Sequence, residues 1–192
     1  MKTKKIITSI AFAFALIFGS TVMAQDSKMD KDTKIVGGAT MYPSKDIVSN
    51  AVNSKNHTTL VAAVKSADLV ETLQGDGPFT VFAPTNEAFD KLPEGTVATL
   101  LKPENKESLQ AVLKYHVISG KYSAKDIMKA IKKGDGKATF TTVQGGTLTA
   151  MMDAKNLVLK DESGNTSMVT ISDVNQSNGV IHVVDTVVLP GM

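Results

Sequence analysis

The sequence predicts an α+β domain, and three features of its pattern carry that expectation. Between residues 44 and 133 apolar side chains recur at helical spacing, interrupted by one strand-like run from Phe79 to Ala83. From Ala138 onward the pattern changes to alternation, with short glycine-containing turns between the runs. No unit of roughly 20–50 residues repeats, so a solenoid is not indicated. Helices gathered around one early strand, followed by strands in succession, imply segregated layers around one core.

The elements follow in order. Ile47, Val48, Ala51 and Val52 form a helical stripe, with Ser44 standing ahead of it as the expected cap. A second helix is expected over Thr58 to Ala67, with Leu60, Val61 and Val64 inward, and a short turn of helix over Leu69 to Leu73 that Gly75-Asp-Gly77 breaks. Phe79, Val81 and Ala83 then alternate with Thr80 and Phe82, which reads as a strand covered on both faces, with Thr80 in need of a polar partner. Pro84 lacks the N–H to continue a ladder, Thr85 can cap a helix, and Ala88, Phe89 and Leu92 recur at helical spacing before Pro93. Val97, Leu100 and Leu101 suggest a short helix, and Leu109, Val112, Leu113 and His116 a longer one from Glu104. In the helix from Ser123 to Lys133, Lys125, Lys129, Lys132 and Lys133 share one face, opposite Ile127, Ala130 and Ile131. Strands follow at Ala138–Val143, Thr147–Met151, Leu157–Leu159 and Met168–Ile171. The last, Val180–Leu189, is apolar on both parities and therefore expected in the centre of the sheet.

The ends of the chain read differently. Lys2, Lys4 and Lys5 precede an apolar run from Ile6 to Phe18, and Val22-Met-Ala24 offers small residues to a signal peptidase; residues 1–24 are expected to be a secretory leader cleaved after Ala24. The apolar run is shorter than the ~20 residues a membrane span needs, and no cysteine follows it to carry a lipid, so no membrane span is expected once the leader is gone. Residues 25–43 interleave Asp26, Asp30 and Asp32 with Lys28, Lys31 and Lys34 and read as a flexible tail; the domain proper is expected over 44–190. The leader carries 3 of the 21 basic residues and none of the 19 acidic ones, so the mature chain holds 18 against 19. That near-neutral balance gives nucleic-acid binding no electrostatic support. With no cysteine, stability must come from a core rather than disulfides.

Three segments resemble the fasciclin (FAS1) domain family. Thr80-Val-Phe-Ala-Pro-Thr-Asn-Glu-Ala-Phe89, followed by a leucine and a proline, is similar to the first signature segment of that family. Leu113-Lys-Tyr-His-Val-Ile118 resembles its Tyr-His segment, and Asn178-Gly-Val-Ile-His-Val-Val-Asp-Thr-Val-Val-Leu-Pro190 its second signature segment. The resemblance implies a wedge of two β-sheets with several helices packed on one side. It also implies a buried polar network of Thr80, His116 and Asp173 pinning helices to sheet; Asp185, which shares strand parity with Ile181, Val183 and Val187, is a second candidate partner. In animal members the Tyr-His segment is implicated in integrin binding, which makes Tyr115 and His116 candidate binding residues beside Lys125, Lys129, Lys132 and Lys133. The other integrin-linked run is poorly kept here, as Ile171-Ser-Asp-Val-Asn175.

No enzyme signature stands beside this. The three histidines, His57, His116 and His182, have no helical zinc spacing, and there is no nucleophile elbow, P-loop or dinucleotide fingerprint. No metal and no cofactor are expected. The function expected from the resemblance is a secreted or periplasmic, non-enzymatic adhesion or binding module of the cell surface or extracellular matrix. Its partner would be a cell-surface protein or polysaccharide, and its edge strands leave a route to self-association. Two alternatives are a glycan- or small-molecule-binding protein, which needs a defined pocket, and a hydrolase using His116 with Asp173, which needs an exposed imidazole beside a cleft.

Overall fold

Residues 32–191 are described by the computed structural model; the leader, its cleavage point and the start of the tail lie outside the described residues. The order is β1 (Lys34–Val36), β2 (Ala39–Met41), α1 (Ile47–Ala51), α2 (Thr58–Ser66), α3 (Val70–Gln74), β3 (Phe79–Pro84), α4 (Asn86–Asp90), α5 (Thr96–Leu100), α6 (Lys106–Tyr115), β4 (Val117–Ser119), α7 (Ala124–Lys133), β5 (Lys137–Thr141), β6 (Thr147–Asp153), β7 (Asn156–Lys160), β8 (Thr166–Gln176) and β9 (Gly179–Val184). The class is α+β, with a two-stranded β1–β2 hairpin and a seven-stranded sheet in the order β4-β3-β9-β8-β7-β6-β5.

β3 and β9 run parallel at the heart of this sheet, Thr80 opposite Val180 and Phe82 opposite His182. Their pleat divides the interior into two cores. Val81, Ala83, Ile181 and Val183 face a cluster completed by Leu60 and Val64 of α2, Phe89 of α4 and Leu109 and Leu113 of α6. Phe82 and Val184 face a second cluster with Ile127 and Ile131 of α7, Leu148 and Ala150 of β6 and Leu157 and Leu159 of β7. Both faces of β3 are covered, as its mixed apolar pattern requires. The open ends of the sheet nearly meet. Ile118 bridges Thr142, and the Val143 N–H donates to the Val117 carbonyl at 2.7 Å. The curvature is made by β8, whose register with β9 shifts between Val169 and Ile171 and again between Ile171 and Val174.

Several elements depart from expectation. Residues 34–41, expected within a flexible tail, form a hairpin whose Val36 and Met41 are 4% and 3% exposed. Its turn is Gly37-Gly38 with φ of 58° and 77°, a left-handed pair that glycine adopts without a Cβ penalty. The fully buried Asn50 ties the chain after it to α1, accepting from the Tyr42 N–H at 3.0 Å and donating to the Tyr42 carbonyl at 2.8 Å. α1 is capped by Asp46 rather than Ser44, its carboxylate accepting from the Ser49 N–H at 2.9 Å. β4 occupies a stretch without a strand expectation, because three residues are too few to show alternation. β9 ends at Val184, short of Leu189, although Val187 and Val188 remain buried.

Asn178, in the turn from β8 to β9, joins three segments. Its side chain accepts from the Ile47 N–H at 3.1 Å and donates to the carbonyls of Leu73 at 2.8 Å and Gly75 at 2.9 Å. Removing it strands backbone groups at the start of α1 and the end of α3. Asn178→Ala is therefore expected to cost about 2–4 kcal/mol of unfolding free energy in urea titration. A loss below about 0.5 kcal/mol would show that water replaces these bonds.

Candidate functional site

The loop from Gly120 to Ala124, which leads from β4 into α7, is held by three buried or half-buried polar groups. Thr80 of β3 donates through its hydroxyl to the Gly120 carbonyl at 2.7 Å and accepts from the Tyr122 N–H at 2.9 Å. His182 of β9, on the same face, donates from Nε2 to the Tyr122 carbonyl at 2.9 Å, and its Nδ1 accepts from the Asp173 N–H at 3.2 Å. The Asp173 carboxylate accepts from the Ala124 N–H at 2.7 Å, in the first turn of α7, where the helix dipole favours a negative group. Asp173 reaches this position because it sits in the β8 bulge with φ of 55°. Ser123 and Asp126 complete the helix start as a reciprocal capping box.

The expected network of Thr80, His116 and Asp173 is thus corrected in one member. His116 bonds to neither of the others. It closes α6, donating from Nδ1 to the Val112 carbonyl at 2.8 Å and accepting at Nε2 from the Val188 N–H at 3.2 Å. The reason is direction: an imidazole at the end of α6 turns back over its own last turn, whereas His182 lies beside Phe82 on the Thr80 face of the β3–β9 pair, its ring 5.7 Å from that of Phe82. The shared parity of Thr80, Phe82 and His182 was the available signal, and it needed the parallel register to be read. Asp185 serves neither histidine; it accepts from the Met168 N–H at 2.8 Å and meets Lys91 at 3.3 Å.

Tyr115 and His116, expected as binding residues, are 0% and 3% exposed. Tyr115 is bound internally, donating to the Thr147 carbonyl at 2.5 Å and accepting from the Glu162 N–H. Neither is presented on the outer surface, where a macromolecular partner would dock. The enclosure of His116, with both ring nitrogens bonded to backbone, also closes the hydrolase reading built on it. Lys125, Lys129, Lys132 and Lys133 by contrast are all exposed on α7, while Ile127 and Ile131 are buried beneath. Among the described residues none of the four is in a salt bridge.

A second feature lies on the other core. A cavity of about 70 Å³ sits under α3, walled by hydrocarbon from α1, α2, α3, β3 and α6. Among the described residues no group of three or more His, Cys, Asp or Glu could hold a metal ion, and no helix is long and apolar enough to cross a membrane.

These arrangements define a class: an α+β scaffold whose buried polar groups hold backbone segments together rather than converge on a reacting atom. The chain belongs to the fasciclin domain family, the Fasciclin domain matching residues 55–190. It is 43% identical over 183 residues to Protein sll1483 of Synechocystis sp., covering 93% of this chain and 92% of that one. It is 34% identical over 149 residues to the cell surface glycolipoprotein MPB83 of Mycobacterium bovis, covering 75% of this chain and 60% of that one. In fold it is similar to a FAS1 domain pair from the insect cell adhesion molecule Fasciclin I, with a TM-score of 0.67 at 18% identity over 76% of this chain and 51% of that one.

Burial pushes His116 down from 6.5 to about 4, outweighing the opposing pull of the Val112 carbonyl and Asp161. Burial also lowers His57 and His182. All three imidazoles are neutral in the fold at pH 7, and the unfolded chain binds protons first on acidification. The contribution of each is therefore present above pH 6.5 and is lost as pH falls below it; for His116 the loss runs down to about pH 4 and amounts to about 3 kcal/mol. Urea titrations at pH 7.5 and 4.5 should show this fall, and His116→Gln should reduce its slope; a flat profile through that window would contradict the neutral, enclosed imidazole. Thr80→Val and His182→Ala should couple by more than about 0.5 kcal/mol in a double-mutant cycle, because both hold Tyr122, whereas Thr80→Val and His116→Ala should add.

Proposed function

We propose that the mature chain is an extracytoplasmic, non-enzymatic adhesion module that meets a polyanionic surface, a cell-surface polysaccharide or an acidic protein, through the lysine face of α7. The observation that carries this reading is the fasciclin domain match over residues 55–190. The descriptions of two relatives, a cell surface glycolipoprotein and a cell adhesion molecule, point the same way. The leader-like start supplies the route out of the cytoplasm.

The geometry favours α7 over the rest of the surface for a physical reason. Four ammonium groups on one face of a ten-residue helix, none of them in a salt bridge among the described residues, break no such bridge when they meet an anion. The helix is also mounted firmly: Ile127 and Ile131 are 1% and 3% exposed, and its first turn is bonded to Asp173. A helix already fixed in place adds no backbone ordering cost on docking. A soluble glycan in the α3 cavity is disfavoured, since its hydroxyls would face hydrocarbon walls without partners.

The test is binding of residues 25–192 to immobilised whole cells and to extracted surface polysaccharide at low and high salt. Binding is expected to weaken at least tenfold between about 0.05 and 0.5 M salt and to be lost when Lys125, Lys129, Lys132 and Lys133 are all changed to glutamine. Binding that ignores both salt and these substitutions would move the contact to another face; absence of binding would overturn the adhesion reading.

A further inference from the structure

The cavity beneath α3 differs from ordinary packing defects in its position and its rim. Its walls include Leu60 and Val64 of α2, Val70 and Leu73 of α3, and Phe79 and Val81 of β3. These belong to, or pack against, the first core, so the space is a gap in that core rather than a surface dimple. α3, which roofs it, is five residues long and has no fully buried side chain, so it covers the core without plugging it. Two cationic side chains also line the cavity: Lys65, exposed at the end of α2, and Lys114, half-buried near the end of α6. Among the described residues neither is in a salt bridge, while Lys91 and Lys106 elsewhere are paired. Hydrocarbon walls to which two lysine side chains contribute match one kind of molecule, a chain that is apolar at one end and anionic at the other.

We propose that this cavity binds the tail of a single-chain aliphatic carboxylate, with Lys65 and Lys114 receiving its head group. At about 70 Å³ the space is roughly half that of a cavity known to take up benzene, so it encloses the last few carbons of the chain. The rest of the chain runs under the edge of α3 to the rim. An apolar space of this kind gives water no hydrogen-bond partners, so filling it displaces no well-bonded water and restores the dispersion contacts its walls lack. A sugar or a nucleotide fails on the walls, and an uncharged hydrocarbon leaves the two ammonium groups without a counter-charge. The site is separate from the α7 lysines, so the adhesion reading and this one fail independently.

The experiment is calorimetric titration of residues 25–192 with hexanoate, octanoate, decanoate and decanol, each below its micelle concentration. Affinity is expected to rise by about fourfold for each added methylene and then level off once the enclosed space is full. Decanoate should bind several-fold more tightly than decanol, and Lys65→Gln with Lys114→Gln should bring the two together without altering the melting temperature. Val61→Phe, at a partly buried position on the wall, should abolish binding of both. Glutamine at Lys125, Lys129, Lys132 and Lys133 should leave decanoate binding unchanged. Affinity that does not depend on chain length, equal affinity for decanoate and decanol in the unmodified protein, or no binding at all would overturn the proposal. Co-sedimentation with phosphatidylglycerol vesicles tests the other source of an aliphatic chain with an anionic head: vesicle binding lost in Val61→Phe, with no uptake of free decanoate, would overturn the free carboxylate in favour of a membrane lipid.

Discussion

The parallel contact between β3 and β9 is the constraint on which the other parts depend. At its start the two backbones come so close that a Cβ on Gly179 would lie 2.1 Å from the Phe79 carbonyl oxygen, and one on Gly77 would lie 2.3 Å from that of Asn178. Gly77 also has φ of 59°, which a side chain would resist. The approach lets the Phe79 N–H donate to the Asn178 carbonyl at 3.0 Å, and the ladder then runs on to Pro84 opposite Val184. Because each strand is covered on both faces, this one pair sets the height of both cores. Asn178 extends the same junction into α1 and α3, so the helical layer is indexed to the sheet at the point where the sheet is least able to shift.

Loops in such a fold cannot satisfy themselves, and buried neutral side chains do it for them. Thr80 and His182 bond the loop before α7, and His116 bonds the segment after β9, each imidazole donating from one nitrogen and accepting at the other. A neutral ring suits this task better than an ion, since burying it carries no Born cost, and the desolvation that lowers its pKa keeps it in that form. The two salt bridges among the described residues sit in solvent and contribute little by comparison. The tertiary structure is therefore organised by apolar burial and by hydrogen bonds to backbone, the buried Asp161 side chain joining in by accepting from the Asn165 and Leu189 N–H groups.

How much of this was legible varied with the range of the interaction. Elements whose signal is local were readable: β3 with its Pro84 stop, the Thr85 cap accepting from the Ala88 N–H, α2, and α7 with its lysine face opposite Ile127 and Ile131. The hairpin at 34–41 was hidden because two three-residue strands carry no period, and the aspartates and lysines before it imitate a solvated tail. Within the polar node, Thr80 and Asp173 were identified and the histidine was not. Choosing between His116 and His182 depends on which strand lies beside β3 and in which direction, and that is set by the whole topology rather than by any window of residues. Tyr115 and His116 show the converse: a motif can be visible in sequence because it is needed for packing, and then be unavailable to any partner.

The two surfaces that remain as candidates differ in mechanical character, and that difference follows from their anchoring. α7 has two buried isoleucines, a capping box and a carboxylate at its first turn, so the backbone that carries its lysines is held in place. α3 has no fully buried side chain, is tied at its C-terminal end by Asn178, and lies over unfilled space. Segments with few buried contacts open at lower free energy than the body of a domain, so α3 can yield to an entering chain while β3 and β9 stay paired. A charged face gains from rigidity, because steering and docking need its charges fixed. An apolar space gains from a wall that yields, because α3 can then adjust to the length of chain beneath it. Having the β3–β9 pair between the two cores lets one domain carry both, since loosening on the α3 side need not be transmitted to the mount of α7.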